Sequence, residues 1–224
     1  MSAILLLDST LLPPVPQVAL IWATGLAPST PSSFPPQFLM DAVRTVQEAG
    51  DEFLPTDLRA EVRNIIRFGK FRPSGRSKPA SEFLLQAALA DEFPSVSPLV
   101  DINNTVSLLS GYPASIFDAD LTGDRLLLRR GEPGESYVFN QAGHEIKLED
   151  LLSVCRPVGE EWEPCGNPVK DSMATKVSDK TRSILATLFA PAQTDLARLT
   201  EFAELYVQLL ISQAGAESAD FRLV

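Results

Sequence analysis

Between Pro98 and Gly123 the chain reads PLVDINNTVSLLSGYPASIFDADLTG, and its polar residues are spaced for chemistry. Asn103, Ser107 and Ser110 fall at i, i+4 and i+7, with Asn104 beside them. On a helix that spacing forms one short-polar stripe. Ser115, Asp118 and Asp120 follow on the next stretch. Asparagine amides supply both donors and an acceptor, which suits them to hold the polar groups of a ligand. Serine can position a water, but near neutral pH it cannot replace imidazole as an acid or base. The alternative is structural: such Asn and Ser side chains satisfy backbone and neighbouring polar groups. Asp101, Asp118 and Asp120 could attract a hard cation, yet turn and capping roles account for them better. No metal or cofactor is expected.

These residues need a scaffold, and the same stretch supplies one. Leu99, Ile102, Val106 and Leu109 recur at helical spacing, so one face of a helix over 98–110 should be buried. Pro98 after Ser97 suits its first turn, and Gly111 with Pro113 marks its stop. SIFDAD then reads as a short strand and LTGD as a turn.

The rest of the chain bounds the setting. Its 224 residues allow one domain, or a domain with extensions, and a substantial core. The 45% hydrophobic and 21% charged content is that of a folded protein. A net charge of −10 argues against nonspecific coating of nucleic acid, and no DNA partner is expected, although a local basic face remains open. Cys155 and Cys165, with one histidine, cannot build a familiar zinc site or a disulfide framework, so a reducing, cytoplasmic setting is expected. ILLL at 4–7 lacks a basic flank, and VALIWATGLA at 18–27 is about half a membrane span. Neither a signal peptide nor membrane association is expected.

VALIW is expected as an early buried strand, followed by an irregular proline-rich connection, PSTPSSFPP. Helices are expected over 36–50 and 57–68, the second turning Arg59, Arg63 and Arg67 outward. ASEFLLQAALADEF reads as a helix buried nearly all round. RLLLRR and ESYVFN read as strands joined by GEPG, EEWEPCGNP as a loop, and SDKTRSILATLF as the start of a helix behind Ser178. A long helix follows Asp195, its stripe formed by Leu196, Leu199, Ala203, Tyr206 and Leu210, and the tail after Gly215 is expected to be loose. Helices alternating with strands and hairpins point to an α+β fold.

Between Arg59 and Lys78 seven basic residues face a single acid, Glu61, with Phe68 and Phe71 interleaved. Such a segment can bind oxyanions through guanidinium groups and bases through aromatic rings. It can equally be a solvated face whose arginines pair with this acidic protein's own carboxylates. Among enzyme classes, a histidine-centred triad is nearly excluded: His144 is the only histidine, set in a turn, with no G-x-S-x-G. No P-loop or dinucleotide fingerprint is present.

LVDINNTVSLLSGYPASIFDADLTG followed by RLLLRRGEPGE resembles the signature of the B3/4 domain of phenylalanyl-tRNA synthetase β chains. There a V-D-x-T-N helix precedes L-G-x-P-x-H-x-F-D and a strand ending in G-E. A stand-alone group of the family adds R-P-S before a helix, matched by Arg72-Pro73-Ser74, and a late R-D-S/G segment, resembled by KDSMATKVSDKTR at 170–182. The resemblance covers roughly residues 60–190. It implies an α+β fold with a B3/4-like mixed sheet packed with helices. On this reading residues 1–59 and the helix and tail at 191–224 flank the domain, the first segment belonging to the same globule.

In the synthetase this domain hydrolyses the ester joining a wrong amino acid, chiefly tyrosine, to tRNA. Carried over by position, Asn104, Phe117 and Asp118 match family residues, while Asn103 stands in place of a threonine. Ser115 stands where the motif has its histidine. The tyrosine-contacting glutamate falls near Met173, with Asp171 two residues earlier. The resemblance therefore implies catalytic roles for Asn104, Ser115 and Asp118, and substrate contacts from Asn103, Arg72 and Asp171. It implies tRNA or aminoacyl-tRNA as partner, with RNA contacts from Arg63, Arg67, Lys70, Arg76 and Lys78. Three functions stay open: a deacylase acting in trans, a noncatalytic module for tRNA or an aminoacyl group, and a small-ligand or protein interaction module that kept only the fold. Without the histidine, any hydrolysis is expected to be slow and only weakly dependent on pH between 6 and 8.

Overall fold

The computed structural model of the chain describes residues 2–28 and 35–224. Most of the proline-rich connection expected at 28–36 lies outside the described residues. In chain order the elements are β1 (Ile4–Leu7), β2 (Gln17–Thr24), α1 (Gln37–Ala49), α2 (Thr56–Ile66), α3 (Ala80–Leu89) and α4 (Pro98–Ser110). There follow β3 (Ala114–Asp118), the one-turn α5 (Ala119–Thr122), β4 (Arg125–Arg130), β5 (Ser136–Val138) and β6 (Glu145–Lys147). The chain ends with β7 (Leu152–Val158), β8 (Glu161–Gly166), β9 (Ser183–Ala190), α6 (Leu196–Ala214) and β10 (Ser218–Leu223). The fold is α+β with a mixed sheet, β1-β4-β7-β8, in which only β1–β4 is parallel. A second sheet, β10-β2-β9-β3, is antiparallel throughout, and β5–β6 form a separate hairpin.

Burial explains the layering. Residues 184–190 of β9 are all buried: Ile184, Ala186 and Leu188 pack toward α4 and α6, while Leu185 and Phe189 pack toward the other sheet. A strand covered on both faces is a continuous apolar run, and this is why SILATLF, read as a helix, is a strand. Two further expectations change. The tail is not loose: β10 pairs with β2 along its length, and Ala219, Phe221 and Leu223 alternate onto the core. EWEPCG is not a loop but an edge strand on β7, with Pro164 beside the register shift at Val154/Cys155 where a missing N–H is tolerated.

Smaller corrections follow from pairing and exposure. RLLLRR and ESYVFN do not form a hairpin, since β4 pairs with β1 and β7 and β5 with β6. α3 is buried on one side only, leaving Phe83 exposed, and the α6 stripe begins at Leu199 because Leu196 is exposed. The helix expected over 98–110 is α4, with Pro98 in its first turn and Gly111 left-handed at φ 76° after its last. No helix among the described residues is long and apolar enough to cross a membrane.

One ion pair ties the first sheet to the turn after β4. Arg129, buried, donates from Nη1 to Glu135 Oε2 at 2.8 Å and from Nη2 to Oε1 at 2.6 Å. Nη2 also donates to the Trp162 carbonyl, and Glu135 accepts from the Glu132 N–H at 2.6 Å. Removing one member leaves the other charge buried without its counter-ion. Glu135→Gln should cost about 3 kcal/mol of stability, read as a lower denaturant midpoint at pH 7.

Candidate functional site

α4 and β3 deliver the polar stripe to a cleft of about 290 Å³. Because no residue of α4 is fully exposed, most of its polar groups are spent internally. Ser107 Oγ donates to the Tyr112 carbonyl and Ser110 Oγ to the Val106 carbonyl, each at 2.7 Å, so both serve the backbone. Asp101 accepts from Ser95 Oγ and the Val96 N–H, a turn role. Asn103 and Asn104 line the cleft. Tyr206 of α6 donates to Asn103 Oδ1 at 2.9 Å, which fixes that amide and leaves its Nδ2 with one long contact, 3.5 Å, to the Ala114 carbonyl. Asn104 is half-buried, and its side chain bonds to no other described residue. Apolar walls come from Val100, Ala114, Ile116, Val169, Met173 and Val177.

The opposite side is the loop after β8, and Asn167 builds it. Its Oδ1 accepts from the Val169 and Lys170 N–H groups at 2.8 and 2.9 Å, and its Nδ2 bonds the Tyr137 hydroxyl. Tyr137 in turn donates to the Lys170 carbonyl at 2.5 Å. This closed network sets Asp171 against β3, where Oδ2 accepts the Ile116 N–H at 3.2 Å. Ser115 Oγ donates to the Asn167 carbonyl at 3.3 Å and lies within hydrogen-bond reach of the Asp171 carboxyl. Oδ1 of Asp171 is shut off from solvent and has no partner. Burial pushes the Asp171 carboxyl from its ordinary 3.8 up to about 7, against the opposing bonds from Ser115 and the backbone. Gly166 makes the arrangement possible: a Cβ there would meet the Phe117 ring and come within 2.8 Å of Asp171 Oδ1. The cleft is thus lined by the amides of Asn103, Asn104 and Asn167, the ammonium groups of Lys170 and Lys176, and one carboxyl that burial raises to about 7, without a histidine.

The family model of the B3/4 domain matches residues 71–203, more than half of the chain. The chain belongs to the B3/4 domain family. It is 32% identical over 119 residues to a phenylalanine–tRNA ligase β subunit of Corynebacterium efficiens, covering 51% of this chain and 14% of that protein. The β subunit of Nocardia farcinica is 32% identical over 131 residues, covering 57% and 16%. That of Corynebacterium diphtheriae is 30% identical over 142 residues, covering 58% and 17%. The chain therefore matches a small part of the length of these relatives. Among solved structures, an N-terminal fragment of the phenylalanyl-tRNA synthetase β subunit from Pyrococcus horikoshii is similar with a TM-score of 0.43 and 12% identity, covering 56% of this chain and 44% of that one.

In this B3/4 protein the residues expected to converge do so only in part. Asn103, Asn104 and Asp171 share the cleft; Ser115, Asp118 and Arg72 do not line it. Strand alternation is the reason for Ser115, since Ala114 and Ile116 face the cleft and Ser115 turns to the other side, under Asp171. Asp118 is occupied at the far end of β3: it accepts from the Asp120 N–H, capping α5, and from Thr181 Oγ1 at 2.5 Å. Among the described residues no group of three or more His, Cys, Asp and Glu could hold a metal.

The basic residues divide as well. Arg63 is paired with Glu82 through two 2.5 Å bonds, Arg67 donates to Asn64, and Lys78 lines neither large cleft. Lys70, Arg72 and Arg76 line a second cleft of about 1020 Å³, joined to the first at Phe139 and Lys170. Asn167, Phe139 and Lys170 escaped the sequence reading. The signal for Asn167 was there in Asn-Pro, a pair that favours turn initiation, while nothing local marks Phe139.

Because native Asp171 holds its proton to higher pH than the unfolded carboxyl, its contribution to stability is full in acid. It is lost as pH rises from the ordinary carboxylate range through about 7. Asp171→Asn should abolish that loss. Relative to wild type its stability in denaturant unfolding should improve between pH 5 and pH 8 by up to about 3 kcal/mol. Gly166→Ala should instead destabilise at every pH, because the added carbon meets fully buried Phe117.

Proposed function

We propose that this protein binds the aminoacyl end of a tRNA and hydrolyses the ester that joins amino acid to ribose. The reading rests on family membership and on one observation: Asn103, Asn104 and Asp171 meet in an apolar-walled cleft of amino-acid size. The relatives are named as phenylalanine–tRNA ligase β subunits, and the B3/4 family model matches residues 71–203 of this chain. The proposal concerns the aminoacyl ester alone, not ligation.

Chemically, the apolar walls take the amino acid side chain. Asn104, with free amide donors, faces the ester carbonyl; Asn103, held by Tyr206, backs it. Water attacks the carbonyl carbon and gives its proton to the ionised Asp171 carboxyl. The oxyanion accepts from the amides, and the C–O bond to ribose breaks as Asp171 returns the proton to the leaving oxygen. Ser115 acts through Asp171 as a positioning residue. In this mechanism the histidine that the family motif carries is replaced in function by a buried carboxyl, so the weak pH dependence expected from sequence gives way to a steep one.

Deacylation of a panel of misacylated tRNAs by the purified protein tests this. The rate should rise with pH through about 7 and level off above it. Asp171→Asn should remove the rise, and Asn104→Ala should lower the rate roughly 100-fold, as loss of one oxyanion donor does. Wild-type rates equal to the protein-free control for every tRNA would refute hydrolysis. If tRNA is still bound, the noncatalytic module is the correct reading.

A further inference from the structure

Strand β10 forms one edge of the second sheet, in the order β10-β2-β9-β3. Its inner side is spent on β2: Val224 and Val18 exchange both backbone bonds, each at 2.9 Å. Bonding alternates along an antiparallel strand, so Ser218, Asp220 and Arg222 also face β2, in register with Thr24, Trp22 and Leu20. The N–H and C=O groups of Ala219, Phe221 and Leu223 therefore point outward. The Phe221 N–H confirms this, since it donates to Oδ1 of the neighbouring Asp220 at 2.8 Å and not to β2. The opposite edge, β3, is guarded differently: Asp171 takes the Ile116 N–H there. An edge strand with outward backbone groups is a template for another strand.

The side chains of β10 say which strand fits. Ala219, Phe221 and Leu223 are half-buried against the core shared with α6, while Asp220 and Arg222 are exposed on the other face. Neither Asp220 nor Arg222 forms an ion pair among the described residues. When two copies of β10 meet antiparallel about a two-fold axis at Phe221, Asp220 of each lies opposite Arg222 of the other. These are the closely spaced positions between hydrogen-bonded pairs, where opposite charges attract most. Ala219, Phe221 and Leu223 then exchange backbone bonds across the axis, and the Asp220 carboxylate is released from the Phe221 N–H to the arginine. A shift of register by two residues would set Asp220 against Asp220, or Arg222 against Arg222. Charge thus selects both the partner and the register.

Helix α6 completes the surface. It lies over β2 and β10 alike, so in such a pair the two copies of α6 stand two strand spacings apart. That is about 10 Å, a helix-packing distance. Phe202 and Tyr206 face Tyr112 and Asn103 on the α4 side. Val207 and Ile211, at i and i+4, fall on the flank turned away from α4, on the side of β10. Ile211 is 49% exposed there. We propose that this protein forms a two-fold dimer through β10, which joins two antiparallel sheets into one and packs the α6 flanks across the axis. The dimer does not depend on the hydrolytic reading. The first cleft is lined by Ala114 and Ile116 of β3, at the far edge of the same sheet, and stays open.

Sedimentation equilibrium of the intact protein over a wide range of concentration tests this, and should show monomer and dimer in exchange. Asp220→Arg alone sets arginine against arginine across the axis, and Arg222→Asp alone sets aspartate against aspartate. Each should weaken dimerisation about tenfold or more, because both attractive pairs become repulsive. Mixed in equal amounts, the two variants should form a heterodimer at least as tight as the wild-type dimer, since every charged pair is then opposite. That rescue also shows that both variants are folded. Ala219→Pro, which removes an outward N–H and no bond to β2, should weaken the dimer by about tenfold. A wild-type protein that stays monomeric at its highest soluble concentration would overturn the proposal. So would a dimer indifferent to the single charge changes, or single variants that gain nothing on mixing. A dimer that survives Ala219→Pro unchanged would exclude pairing through the β10 edge.

Discussion

Helix α4 is enclosed by α1, α3, α6 and the second sheet, and the architecture of the site depends on that enclosure. A buried helix cannot leave polar side chains to water, so each needs a partner in the protein or a ligand. Ser107 and Ser110 find backbone carbonyls within their own helix and the turn behind it. Asn103 finds the hydroxyl of Tyr206, which arrives from α6, more than a hundred positions along the chain. Asn104 sits where the enclosure opens, and its amide is left for something else. The stripe therefore divides into structural and available members by position alone.

The same logic explains how a carboxyl with a raised pKa arises in the cleft without histidine. Asp171 is pinned against β3 by the Asn167–Tyr137 network, with Oδ2 bonded to the Ile116 N–H, Oδ1 unpartnered and closed off from solvent, and the residue as a whole half-buried at the cleft. Desolvation raises the energy of the ionised form more than the few bonds lower it. Stability is given up to keep such a group, as is common where function demands a perturbed carboxyl. Gly166 is the local concession that lets carboxyl and Phe117 ring share the space. By contrast the buried thiols Cys155 and Cys165 are pushed up by burial, Cys155 to about 12, and stay inert.

Electrostatics separates the two clefts. The first has apolar walls, one carboxyl and the ammonium groups of Lys170 and Lys176; the second gathers five basic side chains on an acidic protein, whereas Arg63 and Arg129 are paired elsewhere with Glu82 and Glu135. Net charge describes how the whole molecule behaves in solution, not what a particular concavity attracts.

The sequence by itself determined the α+β class, the limits of α4 through Pro98 and Gly111, the early strand β2, and the family. These are local signals: helical period, caps and a motif that is contiguous in the chain. It also singled out Asn103, Asn104 and Asp171, which the fold brings to one cleft. Only the tertiary structure decided which face each side chain took. Ser115 and Asp118 stand in the right motif, but strand alternation turns Ser115 under Asp171, and α5 and Thr181 claim Asp118. β9 was misread because a strand buried on both faces loses the alternation that identifies it, and β10 because its partner β2 lies near the other end of the chain. The cation cluster was half legible for the same reason. Arg72 and Arg76 are neighbours in sequence, whereas Lys147 and Lys170 reach them only through the packing of the β5–β6 hairpin and the loop after β8, which no local pattern encodes.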